Sequence, residues 1–171
     1  GDHWLFLIGL LLVGGTPRRC ALILCALVVG HAGAGTLMAL NIVRPSPRII
    51  EPAIALSIVY AGADNLLVRG GRDMRAWIAL AFGFVHGFWF AGALGQMALP
   101  KQALVWSLLS FELGAELAHF LIIAAVATVA MLVRSRGGAS ASRVTIAGSL
   151  IVIAGGVYLF VTRVFFQGGT A

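Results

Sequence analysis

From Ala103 to Val133 the chain carries no charged or imidazole side chain other than Glu112, Glu116 and His119. As a helix the run would rise about 45 Å at roughly 1.5 Å per residue, more than the roughly 30 Å of hydrocarbon in a bilayer. No soluble fold of ordinary size buries such a segment on every side. The three ionisable groups recur at offsets of four and three, which places them on one helix face. Either they coat a water-facing strip, or they converge on something.

The remainder of the chain has the same character. Of 171 residues, 60% are hydrophobic and only 11% are charged, where a soluble domain would carry about a quarter. Mean hydropathy is +1.00. Six apolar spans are expected, at 2–15, 20–43, 49–68, 76–98, 103–133 and 144–166. They are separated by TPRR, RPSPR, RGGRDMR, LPKQ and RSRGGASASR, with Pro and Gly marking the turns. The last of these reads as the longest and most flexible surface loop. The fold class is all-α: a polytopic membrane protein, a bundle of about six transmembrane helices forming one domain over residues 1–171. The first span is short and the first residue is Gly, so this domain is expected to be the C-terminal membrane part of a longer chain.

The net charge of +6 comes from basic residues clustered between spans. That pattern fits topology and anionic lipid rather than nucleic acid, for which aromatic-basic interleaving is missing. The loops after spans one, three and five hold eight Lys/Arg, against three after spans two and four. The excess places the odd loops in the cytoplasm and both termini in the periplasm of a bacterial-type inner membrane. Cys20 and Cys25, five residues apart, lack a C-x-x-C spacing and read as small buried packing residues.

The polar residues inside the spans carry the functional signal. Five of the six acids (Asp2, Glu51, Asp64, Glu112 and Glu116) lie in or at the ends of spans, as do all four histidines, His3, His31, His86 and His119. Such groups are costly in lipid unless they face the bundle interior, and they mark function by default. Counted along ideal helices, His31 and His86 lie about 18 Å from the outer ends, with Glu112, Glu116 and His119 at roughly 14, 20 and 24 Å. Asp2, His3 and Glu51 fall nearer the outer surface and Asp64 nearer the inner one. No buried basic residue is expected to neutralise the acids.

Imidazole with carboxylate suits a divalent first-row ion such as Ni²⁺, Co²⁺, Zn²⁺, Fe²⁺ or Mn²⁺, and the lack of a Met or Cys cluster argues against Cu(I). A proton or ion relay, or hydrogen bonds that simply hold the bundle together, are the competing readings. Glu116-x-x-His119 also has the spacing used in di-iron carboxylate bundles, although only one copy is present. A membrane-embedded di-metal enzyme, a subunit of a larger membrane complex and a homo-oligomer therefore stay open.

"DHWLFLIGLLLV", "IIEPAIALSIVYAGADNLL", "FGFVHGFWFA" and "FELGAELAHF" resemble, in that order, the signatures of the HupE/UreJ family of hydrogenase and urease accessory membrane proteins. The resemblance implies a nickel or nickel/cobalt permease-like function, and a periplasmic segment ahead of the spans in larger members. It places Asp2-His3 on the family's Asp-His and His86-Gly87 on its His-Gly. His31 with Thr36-Leu37 falls on a His-Ser-x-Thr-Leu pattern with two extra residues between. Glu51 and Asn65 fall on an acidic and an Asn position, with Asp64 where Glu is usual. Glu116 fits the fifth-span pattern, in which Glu112 replaces an Asn and His119 a Gln. The expected metal ligands are thus Asp2, His3, His31, Glu51, Asp64, His86, Glu112, Glu116 and His119, in a protein that binds or conducts an ion rather than an enzyme.

Overall fold

The computed structural model describes residues 2–12, 16–67, 73–95, 101–135 and 138–166. The loop residues 69–72, and the breaks at 96–100 and 136–137, lie outside them. The described residues form six helices and no strand: α1 (Asp2–Leu11), α2 (Pro17–Ala39), α3 (Pro47–Leu67), α4 (Arg75–Gly95), α5 (Lys101–Ser135) and α6 (Gly138–Val161), the last continued by a π-helical turn, Thr162–Phe166. Five of them are long and apolar enough to cross a membrane, and α1 is a shorter apolar helix. The chain is an all-helical membrane protein, as the hydropathy required.

Local chemistry sets the helix ends. Thr16 caps α2 by accepting from the Arg19 amide, and Pro17 occupies the first turn, where no partner for its nitrogen is needed. At the other end Asn41 adopts φ 60°. Its amide reaches Met38 O and that of Ile42 reaches Leu37 O, each at 2.9 Å. This is the paired closure in which Asn is tolerated as a left-handed residue. The stretch expected to be a long loop at 134–143 is mostly helix, because α5 runs to Ser135 and α6 begins at Gly138. Ala and Ser in a first helical turn carry little cost, so composition alone exaggerated that loop.

α1 is the central element. Phe6, Leu7, Leu10 and Leu11 are essentially fully buried, and they anchor a core shared with Leu27, Ile58, Ile123 and Val152. Around it α2 packs most extensively on α4, and α3 on α6. The α2–α4 contact is close because glycines line it. A Cβ on Gly83 would lie 2.9 Å from Leu27 O, and one on Gly87 would lie 2.8 Å from His31 Cα and from His31 O. The backbone carrying His86 is thereby pressed against the backbone carrying His31. The outer surface of α5 is apolar. Leu113 and Leu117 are 74% and 61% exposed, so these two face outward and do not pack around the acidic residues as expected, whereas the Phe111 ring packs 5.1 Å from that of Phe90. Cys20 packs against the core, whereas Cys25 is exposed on the outside of α2.

One end of the bundle is tied by charge. Asp73 accepts from Arg75 Nε and Nη2 at 2.9 and 2.8 Å and lies 3.5 Å from Arg19. Arg75 Nη1 also reaches Leu10 O, at 3.5 Å, where α1 ends. Thr145 Oγ1 donates to Leu12 O from α6. The breaks expected after spans one, three and five therefore share one side of the bundle.

Candidate metal centre

Four histidines from four helices meet beneath this packing. His31, His86 and His119 are buried, and His3 Nε2 lies 3.2 Å from His31 Nε2. The His3 ring stacks on that of His119 with centroids 5.1 Å apart and planes 12° from parallel. His3 was expected near the outer surface. Instead α1 is tucked inside the bundle, which brings His3 into the layer of His31 and His86. Phe90 covers the cluster, 4.7 Å from the His3 ring and 5.7 Å from that of His31. Phe6 lies 5.0 Å from His86.

Hydrogen bonds determine which ring nitrogens are open. Ser57 Oγ donates to Ile54 O at 2.6 Å, so at 2.9 Å from His86 Nε2 it can only accept. In a neutral imidazole one nitrogen donates and the other accepts. His86 therefore carries its proton on Nε2 and presents a bare Nδ1, which faces His3 Nδ1 at 2.7 Å. His3 must donate there, which leaves His3 Nε2 bare and aimed at His31. Ser57 was not recognised from the sequence. Its only signal was a hydroxyl within an otherwise apolar stretch of the third span.

On the far side of His31, Nδ1 lies 3.3 Å from Glu116 Oε1, while Glu116 Oε2 lies 3.3 Å from His119 Nδ1. One carboxylate thus bridges two imidazoles, the arrangement that fixes ring orientation and tautomer around bound metals. Two sets of donors are close enough to hold an ion: His3, His31 and His119, and His31, Glu112 and Glu116, each with donor atoms within 4.8 Å of one another. Metal–nitrogen bonds of 2.0–2.1 Å place neighbouring donors roughly 2.9–3.4 Å apart. The His3–His31 separation of 3.2 Å fits that range.

The other expected ligands lie elsewhere. His86 belongs to neither set; both of its nitrogens are engaged, by His3 and Ser57. Asp2 is ion-paired with Arg163, whose Nη1 also donates to Glu51 O at 2.9 Å. The Arg163 side chain is only 10% exposed, so a largely enclosed basic residue does neutralise one of the acids, contrary to expectation. The π-helical turn after α6 places it. Glu51 lines a cavity of about 210 Å³ together with Met38, Ile50, Phe88 and Trp89. Asp64 lies seven residues, about 10 Å, along α3 from Ser57, and its neighbour Asn65 donates to Gly9 O at 2.7 Å.

No curated protein and no solved structure matches the chain. The sequence pattern of the HupE / UreJ protein family does, over residues 1–163. That match takes in α1 to α6 and every residue of the His/carboxylate cluster, and on it the chain belongs to the HupE/UreJ family.

Proposed function

We propose that the protein binds a divalent transition-metal ion, of the Ni²⁺ or Co²⁺ class, within the bilayer and conducts it across a bacterial-type inner membrane. The observation that carries this reading is the pair of Nε2 atoms on His3 and His31, 3.2 Å apart with the His119 ring beside them. With the His31 proton on Nδ1, towards Glu116 at 3.3 Å, both Nε2 atoms are bare and repel each other, and a shared cation removes that conflict. Imidazole-rich donors suit Ni²⁺, Co²⁺ and Zn²⁺ better than Mg²⁺ or Ca²⁺. Nickel or cobalt delivery is also what the family resemblance implies.

In this reading His3, His31 and His119 ligate the ion, and Glu112 and Glu116 offset its charge. The cavity beside Glu51 supplies access from the end of the bundle away from Asp73, the end assigned here to the periplasm. Asp2 acts through Arg163 to hold α1, rather than as a ligand. Uptake of radioactive Ni²⁺ or Co²⁺ into proteoliposomes tests the proposal. Wild-type protein should accelerate uptake and His31→Gln should not. Equal uptake by His31→Gln and wild-type protein would remove the basis for the assignment.

A further inference from the structure

His31 is the one residue common to both donor sets, and it meets them through different atoms. Its Nε2 faces His3 at 3.2 Å and its Nδ1 faces Glu116 at 3.3 Å. We infer that the two sets are alternate stations for a single ion, one on each side of the His31 ring and never filled together. The inference rests on the metal-binding reading above.

A neutral imidazole carries one proton and one lone pair. With the proton on Nδ1, His31 donates to Glu116 and offers Nε2 to an ion beside His3 and His119. Glu116 then also receives the His119 Nδ1 proton, so His31 and His119 are oriented by the same carboxylate while His86 orients His3. With the proton on Nε2, His31 donates to the bare Nε2 of His3 and offers Nδ1 to an ion beside Glu112 and Glu116. The ring need not turn between these states, because the contacts on both sides already exist. The two states hold the same number of protons: the Nδ1 proton leaves through Glu116, whose side chain is 19% exposed, and a proton from solvent arrives at Nε2 past the half-buried His3, as the ion moves the opposite way.

Filling both stations at once would require His31 to lose its remaining proton. The His31 side chain is fully buried, so a ring stripped of both protons would be a costly anion there whenever either station emptied. His3 serves both states unchanged, because the Ile54–Ser57–His86 chain keeps its Nε2 bare in each. The stations differ in chemistry. One offers three imidazoles; the other offers one imidazole and two carboxylates, which neutralise a divalent ion.

Co²⁺ binding to the purified full chain in detergent tests this, read as ions per chain and as visible absorption, which reports coordination number and donor type. Wild-type protein should take up one Co²⁺. Glu112→Gln should retain one, with an imidazole-dominated spectrum. His3→Gln should also retain one, with a distinct carboxylate-rich spectrum, and each should bind within roughly a hundredfold of wild type. His31→Gln should lose both stations. Two Co²⁺ per wild-type chain, or the same spectrum from His3→Gln and Glu112→Gln, would overturn the alternate-station inference while leaving a metal site in place. Absence of Co²⁺ binding by wild-type protein would overturn the metal reading, and this inference with it.

Discussion

Ser57 Oγ sits 2.9 Å from His86 Nε2, with its own proton committed to Ile54 O. Both side chains are fully buried, so this single hydroxyl decides where the His86 proton resides. Through His86 it also decides which nitrogen His3 turns to the site. Ser57 is therefore a positioning residue that reaches the ion through His86 and His3.

Replacing Ser57 by Ala should weaken Ni²⁺ or Co²⁺ binding by up to about tenfold, the lower end of the effect of losing an outer partner of a metal-bound imidazole, because that partner of His3 is His86 and Ser57 acts through it. Ser57→Thr, which keeps the hydroxyl, should restore most of the affinity. Competition against a chelator of known affinity checks this, with the thermal unfolding midpoint as a control for folding. Equal affinities in Ser57→Ala and wild-type protein would show that the His86 tautomer does not matter.

Arg163 and Asp2 form an ion pair whose side chains are 10% and 27% exposed. Removing one partner leaves the other charge half-buried and unpaired, at a cost of about 2 kcal/mol. Arg163→Leu should therefore lower stability in detergent more than Arg163→Leu combined with Asp2→Leu. Thermal unfolding of the wild type, of each single variant (Arg163→Leu and Asp2→Leu) and of the double variant measures the difference. A double variant as unstable as the sum of the singles would indicate that the residues do not act as a pair.

Arg75 holds the Asp73 carboxyl down to about 2 from an ordinary 3.8, chiefly through their side-chain hydrogen bonds. Because the folded value is the lower one, this stabilisation is fully present above pH 3.8 and is lost as pH falls towards 2. Asp73→Asn should cost about 1 kcal/mol at neutral pH. It should also flatten the acid limb of a plot of unfolding midpoint against pH. An unchanged acid limb would mean that other carboxylates dominate there.

From the distribution of basic residues we propose that the end of the bundle that holds Arg19, Asp73 and Thr145 faces the cytoplasm. In a background with Cys20 and Cys25 changed to Ser, a Cys introduced at Ser140 should resist an impermeant thiol reagent in intact cells. It should react after the membrane is opened. Labelling in intact cells would invert the topology.

The spans were legible because a bilayer demands long apolar runs, and the conflict between Glu112, Glu116 and His119 and their surroundings marked the site on α5. Sequence spacing also gave the shared layer of His31 and His86, both on helices whose registers follow from ideal rise. It could not place His3, whose depth depends on α1 being drawn into the bundle by Phe6, Leu7 and Leu10. Nor could it pair Asp2 with Arg163, 161 residues away and turned inward by a π-helical turn. Ser57 escaped notice because a lone serine in a membrane helix ordinarily satisfies itself on its own backbone. Only the arrival of His86 from α4 gives its oxygen a second task.

The central claim is that buried imidazoles of this cluster hold a transition-metal ion. X-ray absorption at the metal edge of protein loaded with Ni²⁺ tests it most directly. Wild-type protein should hold one ion per chain, with nitrogen or oxygen ligands at about 2.0–2.1 Å and the outer-ring scattering of imidazole, and His31→Gln should lose both signals. Protein that retains no stoichiometric nickel, or a spectrum unchanged by His31→Gln, would contradict it.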